Sequence, residues 1–243
     1  MMYYEQRVRK ELADWERRLF KAPGLLEKAS KSIGARINGI IPPKIHAAIT
    51  TTIKSIVRTA LFGAEYTPRR PVSVFTDLEH ADREANELFS LYQKIAVAEG
   101  AGTGAGGIML SMVDFPALIA IKMKYLFELA HVYGYDTRQF SERVFVLKVF
   151  QMAFSGPDKR AELLHSINYW EHEKTRWQSD SDYTKQMDWE TFQMEYRDAI
   201  DFRKMLQMVP GIGAVAGAWA NYSILGDLRE IAANAYRLRR LNS

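Results

Sequence analysis

Residues 100–136, GAGTGAGGIMLSMVDFPALIAIKMKYLFELAHVYGYD, decide the fold of this chain. The stretch opens with five of the fifteen glycines, all between positions 100 and 107. Because glycine has no side chain, such a concentration lets two backbones approach closely or lets the chain turn sharply. The segment is therefore predicted to be a junction between packed elements and not a linker.

An amphipathic helix is predicted directly after these glycines. Its apolar residues recur every three or four positions, which is the period of one helix face, while Lys122, Lys124 and Glu128 lie off that stripe. The residues expected to face inward are Leu118, Ile121, Tyr125, Leu129 and Val132. Asp114 is expected to cap this helix, Pro116 to lie in its first turn and Gly134 to end it in a left-handed conformation.

A second glycine-rich segment, VPGIGAVAGAWANYSILGDL at residues 209–228, precedes a terminal helix. Gly102-x-Gly104-Ala105 in the first segment is matched by Gly211-x-Gly213-Ala214 in the second. The echo is too short to decide between duplication and two independent small-residue helix starts. We expect the two segments to pack against each other. The glycines placed at or near that crossing are Gly102, Gly104, Gly106, Gly211, Gly213 and Gly217.

The rest of the chain has helical periodicity throughout and no convincing strand. Helices are predicted over residues 3–20, 25–40, 43–62, 77–98, 137–154, 157–177 and 187–207, with the terminal helix after them. Residues 63–74 are expected to be an irregular loop that carries Arg69 and Arg70. The fold class is therefore all-α: one multi-helix domain over residues 1–243 with two central glycine- and alanine-rich segments.

Composition narrows the location and the partners. The chain has no cysteine and no apolar signal peptide at its charged N-terminus, so we expect a cytoplasmic protein. A net charge of +4 would suit an anionic partner, although 33 basic residues against 29 acidic ones also describe an ordinary mixed-charge surface. Basic residues do not alternate with exposed aromatics in a long run, so no nucleic-acid partner is predicted.

Two matches to the dinucleotide fingerprint, at residues 102–107 and 211–216, lack the preceding strand that such a site needs. We predict no nucleotide cofactor from them. No phosphate-binding loop with the Walker sequence, nucleophile elbow or H-E-x-x-H pattern occurs, which favours a protein that is not an enzyme.

Two pairs with E-x-x-H spacing, Glu128 with His131 and Glu162 with His165, resemble half of a di-iron carboxylate site. No glutamates stand out to complete the set, so exposed ion pairs and partly buried polar residues are the favoured interpretation and no metal is predicted. A metal-dependent helical enzyme that uses these four residues is the alternative function.

Residues 205–226 contain no charge and are long enough to cross a bilayer. Their many glycines and alanines make them weakly hydrophobic, which favours a central helix of a bundle over a membrane span.

The chain resembles the EcsC family of bacterial proteins. The residues that carry the resemblance are the first glycine segment, Asp114-Phe115-Pro116, Tyr133-Gly134-Tyr135-Asp136, Glu142-Arg143, Val209-Pro210-Gly211 and Asn221. The family takes its name from an operon that also encodes the ATPase and membrane subunits of an ABC transporter, and its biochemical activity is unassigned. The resemblance implies a bacterial intracellular protein near a membrane system and brings no catalytic residue with it.

The function predicted from the sequence is that of a non-enzymatic helical protein, peripheral to the inner face of the cell membrane or associated with transporter components. The basic tail is the predicted membrane contact, through Arg237, Arg239 and Arg240. A lipid-like ligand is expected near the glycine segments. The candidate structural or ligand residues there are Gly102, Gly104, Gly106, Gly107, Asp114, Pro116, Tyr133, Gly134, Asp136, Pro210, Gly211, Gly213 and Asn221.

Overall fold

The computed structural model describes residues 2–20, 43–74, 77–103, 115–177 and 213–242. Within these ranges the chain forms eight α-helices and one 3-10 turn, with no strand, so the all-α prediction is confirmed. The helices are α1 (Met2–Leu19), α2 (Pro43–Phe62), α3 (Leu78–Thr103), α4 (Phe115–Val132), α5 (Phe140–Phe154), α6 (Pro157–Asn168), α7 (Trp170–Glu173) and α8 (Gly213–Asn242), and the 3-10 turn is Lys174–Trp177.

Helix α8 is the centre of the bundle. It packs along α3 over the largest contact in the fold and also touches α1, α4, α5 and α6. The second glycine-rich segment was expected to precede the terminal helix. From Gly213 onwards it is instead part of that helix, because α8 runs without a break to Asn242. Helix α2 packs against α4 and α5.

Helix α1 matches its prediction closely. Its buried residues are Val8, Leu12, Trp15 and Leu19, the same stripe that the three-to-four spacing selects. Residues 43–62, which include three successive threonines, form a helix as predicted. The predicted helices at 25–40 and 187–207 lie outside the described residues.

Helix α4 is buried on more sides than an amphipathic stripe implies. Tyr125, Phe127, Leu129 and Val132 are fully buried, and Lys122, which was predicted to lie off the stripe, is only 5% exposed. The prediction for Lys122 is wrong because neighbouring helices surround α4: it contacts α2, α3, α5 and α8.

The helix boundaries differ from the predictions at three places. Helix α3 continues five residues past the predicted end at Ala98. Ile95, which the three-to-four spacing from Leu88 and Tyr92 places on the inward face, is 40% exposed. Helix α5 starts at Phe140 and not at Asp136 or Thr137, because those two residues form a turn in which Gln139 N–H donates to the Asp136 carbonyl. The predicted helix over 157–177 breaks at Tyr169, and the break places Trp170 in the core.

Candidate functional site

A polar cleft of about 500 Å³ lies between α1, α3 and α8. Tyr125 of α4 and Tyr133, in the turn after α4, also line it. The polar and aromatic side chains that line it include Asp82, Asn86, Tyr125, Tyr133, Arg229 and Arg237. A volume of this size is in the range of small-ligand sites. It is the candidate functional site of the described structure.

Asp82 is the hub of the cleft. It is buried one turn into α3, and its carboxylate accepts hydrogen bonds from the Tyr4 and Tyr133 hydroxyls, each at 2.6 Å. Arg237, near the end of α8, donates its Nε–H to both carboxylate oxygens at 3.0 Å. One carboxylate therefore joins α1, the end of α4 and α8, and its charge is neutralised by hydrogen-bonded partners.

These partners keep the protonation states needed for the network. Burial, and then the hydrogen bond to Asp82, raise the pKa of Tyr4 to about 12. Burial and the Asp82 charge also raise the pKa of Tyr133 well above its ordinary value. Burial alone would lower the pKa of Arg237, but the Asp82 carboxylate outweighs it and the pKa rises. At neutral pH both phenols therefore donate, and the arginine is charged.

Tyr125 and Arg229 differ from this saturated network. The Tyr125 side chain is fully buried between the rings of Tyr92 and Phe89, and its hydroxyl has no hydrogen-bond partner among the described residues. Arg229 hydrogen-bonds to Asn86 Oδ1 and lies over the Phe89 ring with its Cζ 4.8 Å from the centroid. Both partners of Arg229 are uncharged.

A second ionic cluster lies at the other side of α8. Arg239 Nη2 donates to Glu142 Oε1 at 2.7 Å and its Nε donates to Glu171 Oε1 at 2.8 Å. The guanidinium carbon is 3.8 Å from the ring centroid of Tyr135 and 4.8 Å from that of Phe145. This cluster borders a cavity of about 630 Å³ that Trp170 also lines.

The loops around Gly134 are fixed by two side chains. His131 Nδ1 lies 3.2 Å from the Arg70 carbonyl, which can only accept, so Nδ1 carries the proton and Nε2 accepts from Thr137. Arg143 donates to the carbonyls of Leu61, Gly63 and Thr137. Both residues are structural anchors, which gives the Glu142-Arg143 pair of the family resemblance a role in the fold.

Of the predicted ligand residues, Tyr133 is brought to the cleft, and Gly134 ends α4. Gly134 has a φ of +91°, and Tyr135 N–H and Gly134 N–H donate to the carbonyls of Ala130 and His131, so its predicted left-handed conformation is found. Asp136 accepts from the Arg138 side chain beside it. Gly102, Pro116, Gly213 and Asn221 lie within helices α3, α4 and α8. The remaining ones, Gly104, Gly106, Gly107, Asp114, Pro210 and Gly211, lie outside the described residues.

The terminal arginines have intramolecular partners. Arg237 is bound to Asp82, and Arg239 is bound to Glu142 and Glu171; Arg240 also interacts within the chain. The sequence gives little sign of these ion pairs, because the acidic partners lie 68 to 226 positions away. Their predicted membrane contact stays a prediction.

The four residues of the metal alternative also have other partners. Glu128 accepts from Tyr92 at 2.9 Å, both His131 nitrogens are engaged, and Glu162 pairs with Lys159. His165 packs on the ring of Tyr169. Within the described ranges, no three acidic or histidine side chains are placed to hold a metal ion.

Asp82, Asn86, Tyr125 and Arg229 are functional candidates that the sequence reasoning did not single out. Tyr125 had been assigned to the core stripe, and its hydroxyl gives no sequence signal. Asp82 had one signal: it sits between the buried Ala81 and Ala85, so a carboxylate falls on the apolar face of α3.

The fold and the cleft define a helical-bundle protein whose polar cleft is framed by internal ion pairs. The sequence model of the EcsC protein family matches residues 6–241, so the chain belongs to the EcsC family. It is 40% identical to "Protein EcsC" of Bacillus subtilis (strain 168), over 96% of this chain and 95% of that protein. It is also 26% identical to "Uncharacterized protein YdbA" of the same organism, over 96% of this chain and 91% of that protein. None of the solved structures matches the chain.

None of the helices in the described ranges combines the length and the apolar character that crossing a membrane requires.

Proposed function

We propose that the chain is a non-enzymatic binding protein, peripheral to the inner face of the cell membrane or associated with the components of a membrane transporter. The observation that carries the proposal is the charge pattern of the cleft. Asp82, Glu11 and Glu230 are paired with arginines, whereas Arg229 has only uncharged partners among the described residues. Acidic side chains outnumber arginines in the lining of the cleft, so the positive group that it offers to a ligand or to a headgroup is the Arg229 guanidinium and not the cleft as a whole.

The same pattern favours binding over catalysis. A general base needs a lone pair that faces the substrate, but the Asp82 oxygens already accept from two phenols and one guanidinium. The phenols of Tyr4 and Tyr133 have raised pKa values, since burial and Asp82 disfavour their ionised forms. Both are poor bases or nucleophiles at neutral pH for that reason.

Exposed apolar side chains on α3 support the membrane part of the proposal. Leu91 is 53% exposed and Ile95 is 40% exposed, and the two lie one turn apart on the helix that also carries Asn86 of the cleft. Lys94 is exposed between them. Apolar residues with a flanking lysine are typical of a helix face that rests on a membrane surface. Such a face would add the contact that electrostatic attraction alone does not supply.

Flotation with vesicles tests the proposal. The purified chain is expected to float with vesicles that contain anionic lipid at low salt, to float less at high salt and to stay unbound with uncharged vesicles. The double change Leu91→Gln with Ile95→Gln should weaken flotation, while Val74→Gln, at an even more exposed apolar residue in the loop before α3, should not.

Two outcomes separate the versions of the proposal. Binding to native membranes but not to protein-free vesicles would identify a membrane protein as the partner. The proposal is overturned if the chain binds neither preparation at low salt.

A further inference from the structure

We infer that Tyr125 and Arg229 form the seat for one anionic oxygen group, a phosphate or a carboxylate, of the ligand that the cleft binds. The inference rests on the proposed function and names the chemistry recognised at that same site. Three features carry it: an unpartnered phenol, an arginine without a carboxylate and the space beside them.

The phenol of Tyr125 is the first feature. Its side chain is fully buried and lines the cleft, yet its hydroxyl has no partner among the described residues. Buried polar groups in folded proteins are almost always hydrogen-bonded, so an orphan hydroxyl at the wall of a cavity indicates a missing partner. Its neighbour Tyr133 shows the contrast, since the Tyr133 hydroxyl donates to Asp82 at 2.6 Å.

The charge of Arg229 is the second feature. Arg18 and Arg237 line the same cleft, and each forms an ion pair, with Glu230 at 3.0 Å and Asp82 at 3.0 Å. Within the described part of the chain, Arg229 has no carboxylate at ion-pair distance and bonds to Asn86. A guanidinium with remaining N–H donors is suited to bind phosphate or carboxylate oxygens.

The two groups act on one another electrostatically. Burial raises the pKa of Tyr125, and the Arg229 charge opposes this rise without cancelling it. The phenol therefore stays protonated at neutral pH and presents an O–H donor beside a cation. An O–H donor together with a guanidinium is complementary to an anionic oxygen and not to an ammonium group.

The cleft volume of about 500 Å³ suits a headgroup or a small metabolite. The anionic group has two sources, a phospholipid headgroup at the membrane surface or a soluble phosphate ester. The same two residues would bind either, so the experiment includes both.

The full chain is titrated with glycerol 3-phosphate and, separately, with vesicles of phosphatidylcholine that contain phosphatidylglycerol. Tyr125→Phe and Arg229→Gln are each expected to weaken binding by about tenfold or more, since hydrogen bonds to charged groups are worth that much. Arg17→Gln is the matched control: it removes the same charge from an exposed position on α1 that does not line the cleft. It should change binding by less than about threefold, as exposed charges do.

Binding to vesicles alone, weakened by both changes, assigns the seat to a lipid headgroup. Binding to glycerol 3-phosphate alone, weakened by both changes, supports the seat and overturns the lipid version of the proposed function. Vesicle binding that is the same in Tyr125→Phe, Arg229→Gln and Arg17→Gln overturns the seat and leaves peripheral association standing. Binding of neither probe overturns the seat, and the proposed function then stands only if the chain binds native membranes.

Thermal melts of Tyr125→Phe without ligand test separately whether the Tyr125 hydroxyl has a partner within the folded chain. The ring packing is retained and the lost hydroxyl has no partner, so Tm should stay unchanged or rise. A Tm lower by several degrees would show that the hydroxyl has a structural partner, which contradicts the seat.

Discussion

Arg239 and Glu142 form a two-point ion pair in the interior of the bundle, between residues that are 97 positions apart in the chain. The side chains are 2% and 6% exposed, and the guanidinium lies over the rings of Tyr135 and Phe145. The pair fastens the last turns of α8 to the start of α5. The basic end of the sequence is therefore largely part of the folded core.

Glu142→Gln should lower the free energy of unfolding by about 3 to 5 kcal/mol, because it leaves the Arg239 charge buried with one remaining carboxylate, Glu171. Urea unfolding followed by circular dichroism measures the loss. Asp14→Asn, which breaks the exposed pair with Arg17, is the control and should cost less than about 1 kcal/mol. Equal effects of the two changes would contradict the core position of the pair.

Stability should fall as the pH drops below the ordinary histidine value of 6.5. Burial lowers the pKa of His131, and the charges of Arg138 and Arg70 lower it further. The Arg70 carbonyl and the Asp136 carboxylate, 3.9 Å from Nε2, raise the pKa but only partly offset this lowering. The folded chain therefore binds fewer protons than the unfolded chain in this range. The contribution is fully present above pH 6.5 and is lost as pH falls, by at most about 1.4 kcal/mol per pH unit for one proton.

Unfolding in urea at pH 7.5 and 5.5 checks this sign, and the slope should be smaller in His131→Gln than in the parent. His165→Gln, at an exposed histidine on α6, is the control variant. An NMR titration in which the His131 ring protonates at or above pH 6.5 would show that the argument is wrong.

Gly134→Ala and Gly226→Ala should change stability in opposite directions. Gly134 has a φ of +91°, and a Cβ there would lie 3.3 Å from the Ser73 carbonyl, so alanine should cost about 1 to 2 kcal/mol. Gly226 lies inside α8 with open space around its Cβ position, so alanine should add about 0.5 to 1 kcal/mol. Thermal melts of both variants suffice, and a shift of the same sign in both would refute the assignment.

The predicted crossing of the glycine segments stays a prediction, and the register of α3 and α8 makes it specific. Asp82 pairs with Arg237, and Phe89 lies under Arg229, so the two helices run antiparallel. Gly102 follows Asp82 by twenty residues in α3, and Gly217 precedes Arg237 by twenty residues in α8. If this register continues, the two glycines lie at one level.

Leucine at Gly102 or at Gly217 should then cost about 1 to 3 kcal/mol by overpacking. The double variant should deviate from additivity by at least about 0.5 kcal/mol, because residues in contact are coupled. Single variants within about 0.5 kcal/mol of the parent would place the glycines at an exposed surface. The sequence-based prediction for Gly104 and Gly213 can be tested in the same way.

Local rules were enough to predict the all-α class and several local features of the described helices. The stripe Val8, Leu12, Trp15 needs only the 3.6-residue period, and Gly134 needs only the glycine preference for positive φ. Asp77 lies directly before α3 and accepts a hydrogen bond from His80 N–H at 2.7 Å, which is the usual contact of an aspartate that caps a helix. Each of these features depends on neighbours within a few residues.

The candidate site could not be predicted in this way, because its partners are far apart in sequence. Asp82 meets Tyr133 at a separation of 51 residues and Arg237 at 155. The Tyr125 hydroxyl is notable because it has no hydrogen-bond partner among the described residues, and a missing partner can be recognised only in the packed structure. Arg237 and Arg239 show the same limit, because the sequence shows their charges but not which carboxylates, Asp82, Glu142 and Glu171, pair with them.

Hydrogen–deuterium exchange of the full chain, with and without vesicles that contain anionic lipid, tests most directly whether the cleft faces its anionic partner. Slower exchange is expected in α3 around residues 86–95 and in α8 around residues 226–233, which carry Asn86, Leu91 and Arg229, with no change in α6. Protection confined to other helices, or none while the chain is vesicle-bound, would contradict the account.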